Sequence, residues 1–271
     1  MNIKNAKNIL KNISKSILRR ANLALVLLLF LDTGTLWLVN SDNMLEASYK
    51  PKNMVQISGY PMRKEVRDAF LKMQEDMKKA GIKAPILQSA YRPQKYQQIL
   101  FDEKYRSLIS QGRSEREARR LAAHAVAPPG ASEHQTGLAI DLSTNGELSV
   151  HFGATHTGIW IRNNCHRYGF IIRYPSDKTG ITKIIYEPWH LRYVGLPHSA
   201  YMREQGLCLE EYIEHLKRNR LLIYWIDEGS YYRISYREEI FEKYTSDGTI
   251  SSIYAGEGEG KGYIITELRK F

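Results

Sequence analysis

The sequence predicts an α+β fold, in which a small antiparallel sheet is flanked by helices and followed by a small β-rich C-terminal appendage. Two observations lead to this class. In the middle of the chain, stretches of helical periodicity alternate with short apolar runs that are close enough in sequence to pair as antiparallel strands. Residues 221–271 hold only short β-type runs, which the turn sequences "SDG" and "GEGEGKG" separate. We therefore expect three parts, namely residues 1–35, 36–205 and 206–271.

The first elements of the main domain are a strand and a helix. A short strand is predicted over 36–40 and an extended connector over 41–60. An amphipathic helix is predicted over 61–80 and ends at Gly81. Its apolar residues share one helix face, namely Val66, Phe70, Met73 and Met77.

The next elements are a strand over 84–92 and a helix over about 94–110. A third helix begins at Ser114, because Ser114 and Glu117 form a capping-box pattern, and it ends before Pro128.

The second half of the main domain alternates in the same way. A strand is predicted over 137–143 and a helix over 157–169. Two further strands, "GFIIRYP" and "TKIIYEPWHLRYVG", are joined by a turn at 176–180.

The C-terminal part begins with a helix over 209–219, and strands are predicted over 221–227, 231–237 and 262–268. The tyrosines of these strands can stack on glycan rings or simply form one face of a sheet, and the sequence leaves both readings open.

The net charge of +10 is concentrated at the N-terminus. Six of the 39 basic residues lie within the first twenty positions, which leaves 33 basic against 29 acidic side chains elsewhere. This balance argues against a nucleic-acid partner.

The basic segment leads into an apolar run over 21–31, which is shorter than the roughly 20 residues that span a bilayer. A basic head before a short apolar run is typical of an export signal, either cleaved or kept as an anchor. A buried helix with a basic lead-in is the alternative.

The cysteines exclude a disulfide framework, because Cys165 and Cys208 are the only two in the chain. They are too few for a thiolate metal cage as well. We expect two thiols rather than one bridge.

The stretch "GASEHQTGLAID", residues 130–141, combines metal-ligand residue types with glycines. Hydrolytic zinc sites use three nitrogen or oxygen ligands and keep one position open for water. His134 lies in the predicted turn, Asp141 lies on the strand that follows, and Gly137 permits the tight backbone turn between them. Taken alone, this pair is more typical of a solvated turn than of a metal site.

The stretch "EPWH" supplies further candidates on a strand predicted to lie beside 137–143. His190 is the third candidate ligand, and Pro188 keeps Glu187 extended. Glu187 is the candidate general base, which takes a proton from zinc-activated water and hands it to the leaving amine. Arg92 is the candidate cation, which either stabilises an oxyanion or binds a terminal carboxylate.

Four motifs, "SAYRPQKYQ", "PGASEHQTGLAID", "YGFIIRYP" and "YEPWHLRYVG", resemble in their order and spacing the zinc D,D-carboxypeptidases and D,D-dipeptidases that trim peptidoglycan precursors. This is the family of the vancomycin-resistance D-alanyl-D-alanine carboxypeptidases. The resemblance covers about residues 36–197 and implies the peptidase fold shared with the hedgehog signalling domain. It also implies one zinc ion held by His134, Asp141 and His190, with Glu187 as the base.

The same resemblance implies that Arg92 stabilises the carbonyl oxygen in the transition state and that Gln97 and Ser132 contact the D-alanyl end of the substrate. The expected function is release of the C-terminal D-alanine from peptidoglycan stem peptides. An L,D-carboxypeptidase, a D,D-dipeptidase and a non-catalytic wall-binding module are the alternatives. The N-terminal segment is expected to engage the membrane or the export machinery, which places the enzyme outside the cytoplasm.

Overall fold

The computed structural model describes residues 34–238, 249–255 and 262–270. The predicted signal or anchor segment, residues 1–35, therefore lies almost wholly outside the described residues. Within the described parts, no helix is both long enough and apolar enough to cross a bilayer.

The helices of the described residues are α1 Lys64–Lys79, α2 Gln94–Ser110, α3 Glu115–Ala125, α4 His156–Asn164, α5 Thr179–Thr182, α6 His198–Gln205 and α7 Leu209–Asn219. One-turn 3-10 helices cover Glu133–Thr136, Val150–Ala154 and Cys165–Tyr168. The strands of the main part are β1 Met54–Ile57, β2 Tyr60–Arg63, β3 Ile86–Ser89, β4 Ala139–Ser143, β5 Phe170–Tyr174 and β6 Glu187–Tyr193. The later strands are β7 Leu221–Asp227, β8 Ser230–Arg237, β9 Thr249–Ala255 and β10 Tyr263–Lys270.

The central sheet has the strand order β3-β4-β6-β5, and all of its neighbours are antiparallel. Helix α1 packs on one face of this sheet through the four residues that the periodicity predicts, Val66, Phe70, Met73 and Met77. Burial of each such side chain contributes about 1.5–3 kcal/mol. Because side chains alternate along a strand, the other face is left for the polar residues of β4 and β6.

Helices α2 and α3 form a second apolar cluster, whose buried members are Phe101, Leu108, Ala118 and Ala122. Ser114 caps α3, because its Oγ accepts a hydrogen bond of 3.4 Å from the backbone N–H of Glu117. This confirms the helix start that the sequence predicts.

The prediction of a strand over 36–40 is wrong, because only Asn40 forms a bridge and its partner is the nearby Asn43. Two carbonyls next to or within this stretch accept hydrogen bonds from a guanidinium instead. Arg192 Nη2 donates to Thr35 O at 2.9 Å and to Trp37 O at 2.7 Å. Such a partner, far along the chain, leaves no trace in local periodicity.

The predicted connector over 41–60 contains β1, which pairs with β2 as a hairpin. Most of β2 occupies the first three positions of the helix predicted over 61–80, so this helix begins only at Lys64. The predicted helix over 157–169 divides into α4 and the 3-10 helix Cys165–Tyr168, and the predicted turn at 176–180 leads into α5. These differences concern short elements and leave the order of the longer ones unchanged.

The chain divides into two compact units, of which one is Thr35–Arg220. The described C-terminal strands belong to the other and form an antiparallel sheet in the order β7-β8-β10-β9. The sequence does not predict β9, since its centre is a pair of serines, which are typical of turns.

Both cysteines are buried free thiols, as predicted. Burial raises the pKa of Cys165 and that of Cys208 to about 12, so neither is a reactive thiolate at neutral pH.

Gly137 occupies a backbone position that only glycine tolerates well. Its φ is +71°, and a Cβ there would lie 3.0 Å from Met54 Sδ and 3.2 Å from Arg63 Cγ. Gly146 also has a left-handed φ, +94°, but a Cβ at Gly146 would meet open space.

We therefore expect Gly137→Ala to lower the free energy of unfolding more than Gly146→Ala does. Both substitutions introduce left-handed strain of about 1–2 kcal/mol, and Gly137→Ala adds crowding of about 1 kcal/mol or more. Urea unfolding of the two variants beside the wild type measures the difference. If both variants lose the same free energy of unfolding, the side chains around Gly137 move to accommodate the new Cβ at no measurable cost.

Candidate active site

Strand pairing brings two candidate ligands face to face. Asp141 on β4 is the register partner of His190 on β6, and opposite residues of an antiparallel pair have Cβ atoms about 4.5–5.5 Å apart. Both side chains leave the sheet on the face away from α1. His134 joins them from the 3-10 helix before β4, because the left-handed turn at Gly137 reverses the chain between the two elements.

The three side chains meet closely in a buried position. His134 Nε2 lies 3.1 Å from Asp141 Oδ2, and His190 Nδ1 lies 3.2 Å from Asp141 Oδ1. Candidate ligand atoms of all three residues lie within 4.8 Å of one another. Their exposed fractions are only 1%, 2% and 4% for His134, Asp141 and His190.

This donor set fits zinc. Ligand atoms of a tetrahedral zinc site lie about 3.3 Å apart, since each is about 2.0 Å from the metal. His134 Nε2 and Asp141 Oδ1 are buried without a hydrogen-bond partner. Buried polar atoms are rarely left unsatisfied, and a metal ion would bind both.

The ring of His134 is anchored so that Nε2 faces the cluster. Its Nδ1 lies 2.6 Å from the carbonyl oxygen of Ala90, to which it donates when Nε2 carries the lone pair. Burial and the neighbouring charge of Arg92 lower the pKa of His134 to about 4. A neutral imidazole is the form that binds a metal.

Glu187 lies at the edge of the cluster, with Oε2 3.6 Å from His190 Nδ1. Pro188 is part of β6, so Glu187 is extended, as the sequence predicts. Burial raises the pKa of Glu187 to about 7. A carboxyl group with this pKa can both accept and release a proton near neutral pH.

Arg92 follows β3 and points at the same cluster. Its backbone N–H donates to His134 O at 3.1 Å, and its Nη1 lies 3.6 Å from Asp141 Oδ2. The guanidinium is partly exposed. It can therefore reach a ligand that enters from solvent.

A cavity of about 380 Å³ opens onto these groups, and all the site residues predicted from the sequence line it. Gln97 on α2 donates from Nε2 to Ala127 O at 2.7 Å, while its buried Oε1 has no hydrogen-bond partner. Ser132 is buried beside His134. Trp189 lines the cavity and also packs against the core.

Glu133, the acidic residue that precedes His134 in the motif, adjoins the site as well. Glu133 is buried, and its Oε1 accepts from Arg173 Nε at 2.7 Å and from Arg192 Nη1 at 2.6 Å. Burial opposes the charge of Glu133, but the two guanidiniums hold its pKa well below the usual range. The sequence gives no local sign of this contact, because an arginine on a short strand is more typical of a solvent-facing position.

A buried His/Asp/His cluster, with a carboxyl of raised pKa and an arginine in the same cleft, defines a zinc-dependent hydrolase. Residues 59–196 match the family model VanY, described as D-alanyl-D-alanine carboxypeptidase. The chain is also 42% identical over 194 residues to the putative carboxypeptidase YodJ of Bacillus subtilis, which covers 67% of each protein. The chain belongs to the VanY family of carboxypeptidases.

Solved structures agree with this assignment. A vancomycin-resistance D,D-pentapeptidase VanY mutant in complex with Zn(II) is 38% identical, with a TM-score of 0.60, over 66% of this chain and 98% of that one. The LdcB LD-carboxypeptidase is 40% identical, with a TM-score of 0.60, over 68% of this chain and 87% of that one.

The comparisons confirm three predictions, namely the family, the α+β peptidase fold and the zinc cofactor. The protein is a zinc-dependent carboxypeptidase. It spans about two thirds of the length of three curated relatives that it matches. The roles of individual side chains stay predictions.

Proposed function

We propose that the protein releases the C-terminal D-alanine from peptidoglycan stem peptides, with His134, Asp141 and His190 as the zinc ligands. The observation that carries the proposal is the preformed cluster, in which three ligand-type atoms converge beside Glu187 and Arg92. A D-alanyl-D-alanine carboxypeptidase of Enterococcus faecium, 35% identical over 75% of this chain, supports the same substrate class.

Zinc, when bound, polarises the scissile carbonyl and makes a water molecule more acidic. Glu187 takes the proton of the attacking water and delivers it to the amine of the departing D-alanine. The pKa of about 7, raised by burial, suits both halves of this transfer.

Arg92 stabilises the negative charge that develops on the scissile carbonyl oxygen. The position of its guanidinium at the mouth of the cluster, 3.6 Å from Asp141, supports this role. Gln97 and Ser132 line the same cavity and contact the D-alanyl end of the substrate. The free Oε1 of Gln97 is suited to accept a hydrogen bond from a backbone amide of the peptide.

L,D-carboxypeptidase activity on tetrapeptide stems is the second candidate. It is favoured by the likeness to LdcB, whose identity of 40% is similar to that of the D,D-pentapeptidase. Both reactions use the same metal chemistry, and they differ in the configuration of the residue before the scissile bond.

The N-terminal segment is proposed to direct export, so that the enzyme works on the wall outside the cytoplasm. The basic head and the apolar run over 21–31 support this location. It also disfavours a D,D-dipeptidase, whose free dipeptide substrate is cytoplasmic.

We expect the zinc-loaded enzyme to release D-alanine from a pentapeptide that ends in D-Ala-D-Ala, and a chelator to abolish the release. Parallel reactions contain a tetrapeptide that ends in a single D-alanine, and free D-Ala-D-Ala. Mass spectrometry of the products shows which peptide bond of each substrate is cleaved. Cleavage of the tetrapeptide alone would favour the L,D-carboxypeptidase. Zinc binding without cleavage of any of the three substrates would indicate that the protein is a non-catalytic module.

We expect Glu187→Gln to keep zinc and to lower kcat by about 10²–10⁴-fold, because the amide cannot accept the proton of the water. Zinc content and D-alanine release are measured on the same sample. Glu147→Gln, at an exposed loop position, is the matched control. Unchanged turnover in Glu187→Gln would remove Glu187 from the role of base.

We expect Arg92→Ala to lower kcat by about 10²–10³-fold, as removal of an oxyanion stabiliser does, with little change in zinc affinity. Arg116→Ala, at an exposed position on α3, is the control. A rise in KM at unchanged kcat would instead assign Arg92 to binding of the terminal carboxylate.

A further inference from the structure

The two carboxylate oxygens of Glu133 have different surroundings. Oε1 accepts both guanidinium hydrogen bonds, from Arg173 and from Arg192. Oε2 is buried without a hydrogen-bond partner and lies 3.8 Å from His190 Nε2, which is also buried without one. Two unsatisfied polar atoms therefore face each other directly behind the candidate metal site.

The Glu133 carboxylate is held firmly in this orientation. Arg173 also donates to both oxygens of Glu210 on α7, at 2.9 and 2.6 Å. Arg192 also donates to the carbonyls of Thr35 and Trp37. Because both guanidiniums are buried and are also hydrogen-bonded to other groups, they hold Oε1 in place and leave Oε2 for another partner.

The tautomer of His190 decides whether it can bind a metal. A neutral imidazole has one N–H and one lone pair. Its Nδ1 faces Asp141 and Glu187 at 3.2 and 3.6 Å, so metal binding through Nδ1 requires the proton to be on Nε2. The atom that Nε2 faces is Glu133 Oε2.

We infer that Glu133 is a positioning residue of the zinc site, which accepts the N–H of His190 Nε2 and so keeps the Nδ1 lone pair directed at the metal. The inference rests on the proposed ligand set. His134 is the counterpart, because Ala90 O anchors its Nδ1 and leaves Nε2 for the metal. The two histidines thus use opposite ring nitrogens.

A purely structural role is the competing explanation, in which Glu133 only balances two buried guanidiniums. Oε1 alone is sufficient for that role, because it accepts the hydrogen bonds of both guanidiniums. A purely structural role does not account for the approach of Oε2 to His190, and it predicts that zinc affinity follows the stability of the ion network.

Glu133→Gln separates the two explanations. The single amide oxygen can accept from the guanidiniums or from the His190 N–H, but not from both. In either orientation the amide NH₂, itself a donor, faces the remaining donor and cannot bind it. We expect zinc to bind 10–100-fold more weakly, as is typical when a carboxylate partner of a ligand histidine is lost. Glu210→Gln is the matched control, because it weakens the same ion network at a residue that does not face His190.

Zinc dissociation constants of the wild type and both variants are measured by competition with a chromophoric chelator, beside thermal unfolding of the metal-free forms. Weaker zinc binding in Glu133→Gln with near-normal binding in Glu210→Gln supports the inference. Equal affinities, or equal losses in both variants, overturn it. Failure of the wild type itself to bind zinc would instead contradict the proposed function.

A measurement on the wild type covers the case in which Glu133→Gln does not fold. In the zinc-loaded protein with ¹⁵N-labelled histidines, we expect His190 Nε2 to carry a slowly exchanging proton and Nδ1 to show the shift of a metal ligand. A metal-bound Nε2, or an Nε2 proton in rapid exchange with water, overturns the inference.

Discussion

The register in which β4 pairs with β6 is the constraint on which the site depends. Side chains alternate between the faces of a sheet, so a slip of one residue would turn Asp141 or His190 into the apolar core. Apolar residues on both strands prevent the slip, because Ile140 and Leu191 are fully buried in the core under α1. The packing that stabilises the sheet therefore also sets the geometry of the metal site.

The polar face of the sheet needs compensation of its own, because it buries several charges. Arg173 and Arg192 are fully buried, and Glu133 and Glu210 supply their counter-charges. Loss of one partner from such a group leaves a buried charge at a cost of about 3–5 kcal/mol. The network joins the segment at Thr35 to α7, and both belong to the compact main unit Thr35–Arg220.

The sequence predicts those parts of this structure whose signals are local. Helix α1 is predicted by its period, and the ligand cluster by residue types that match a known motif order. The conformation of residues 36–40 and the surroundings of Glu133 escape prediction, since their partners lie far along the chain. An arginine in "FIIRY" or "HLRY" reads locally as a solvent-facing strand residue, and only the assembled network shows why it is buried.

Specificity within the family has to arise away from the metal. Relatives described as D,D- and L,D-carboxypeptidases are similar to this chain to nearly the same degree. The rest of the cavity wall includes Leu100 on α2, Val126 just after α3 and Trp189 on β6. A change of configuration at the residue before the scissile bond redirects its side chain, so we expect this wall, rather than the candidate metal ligands, to distinguish the two kinds of stem peptide.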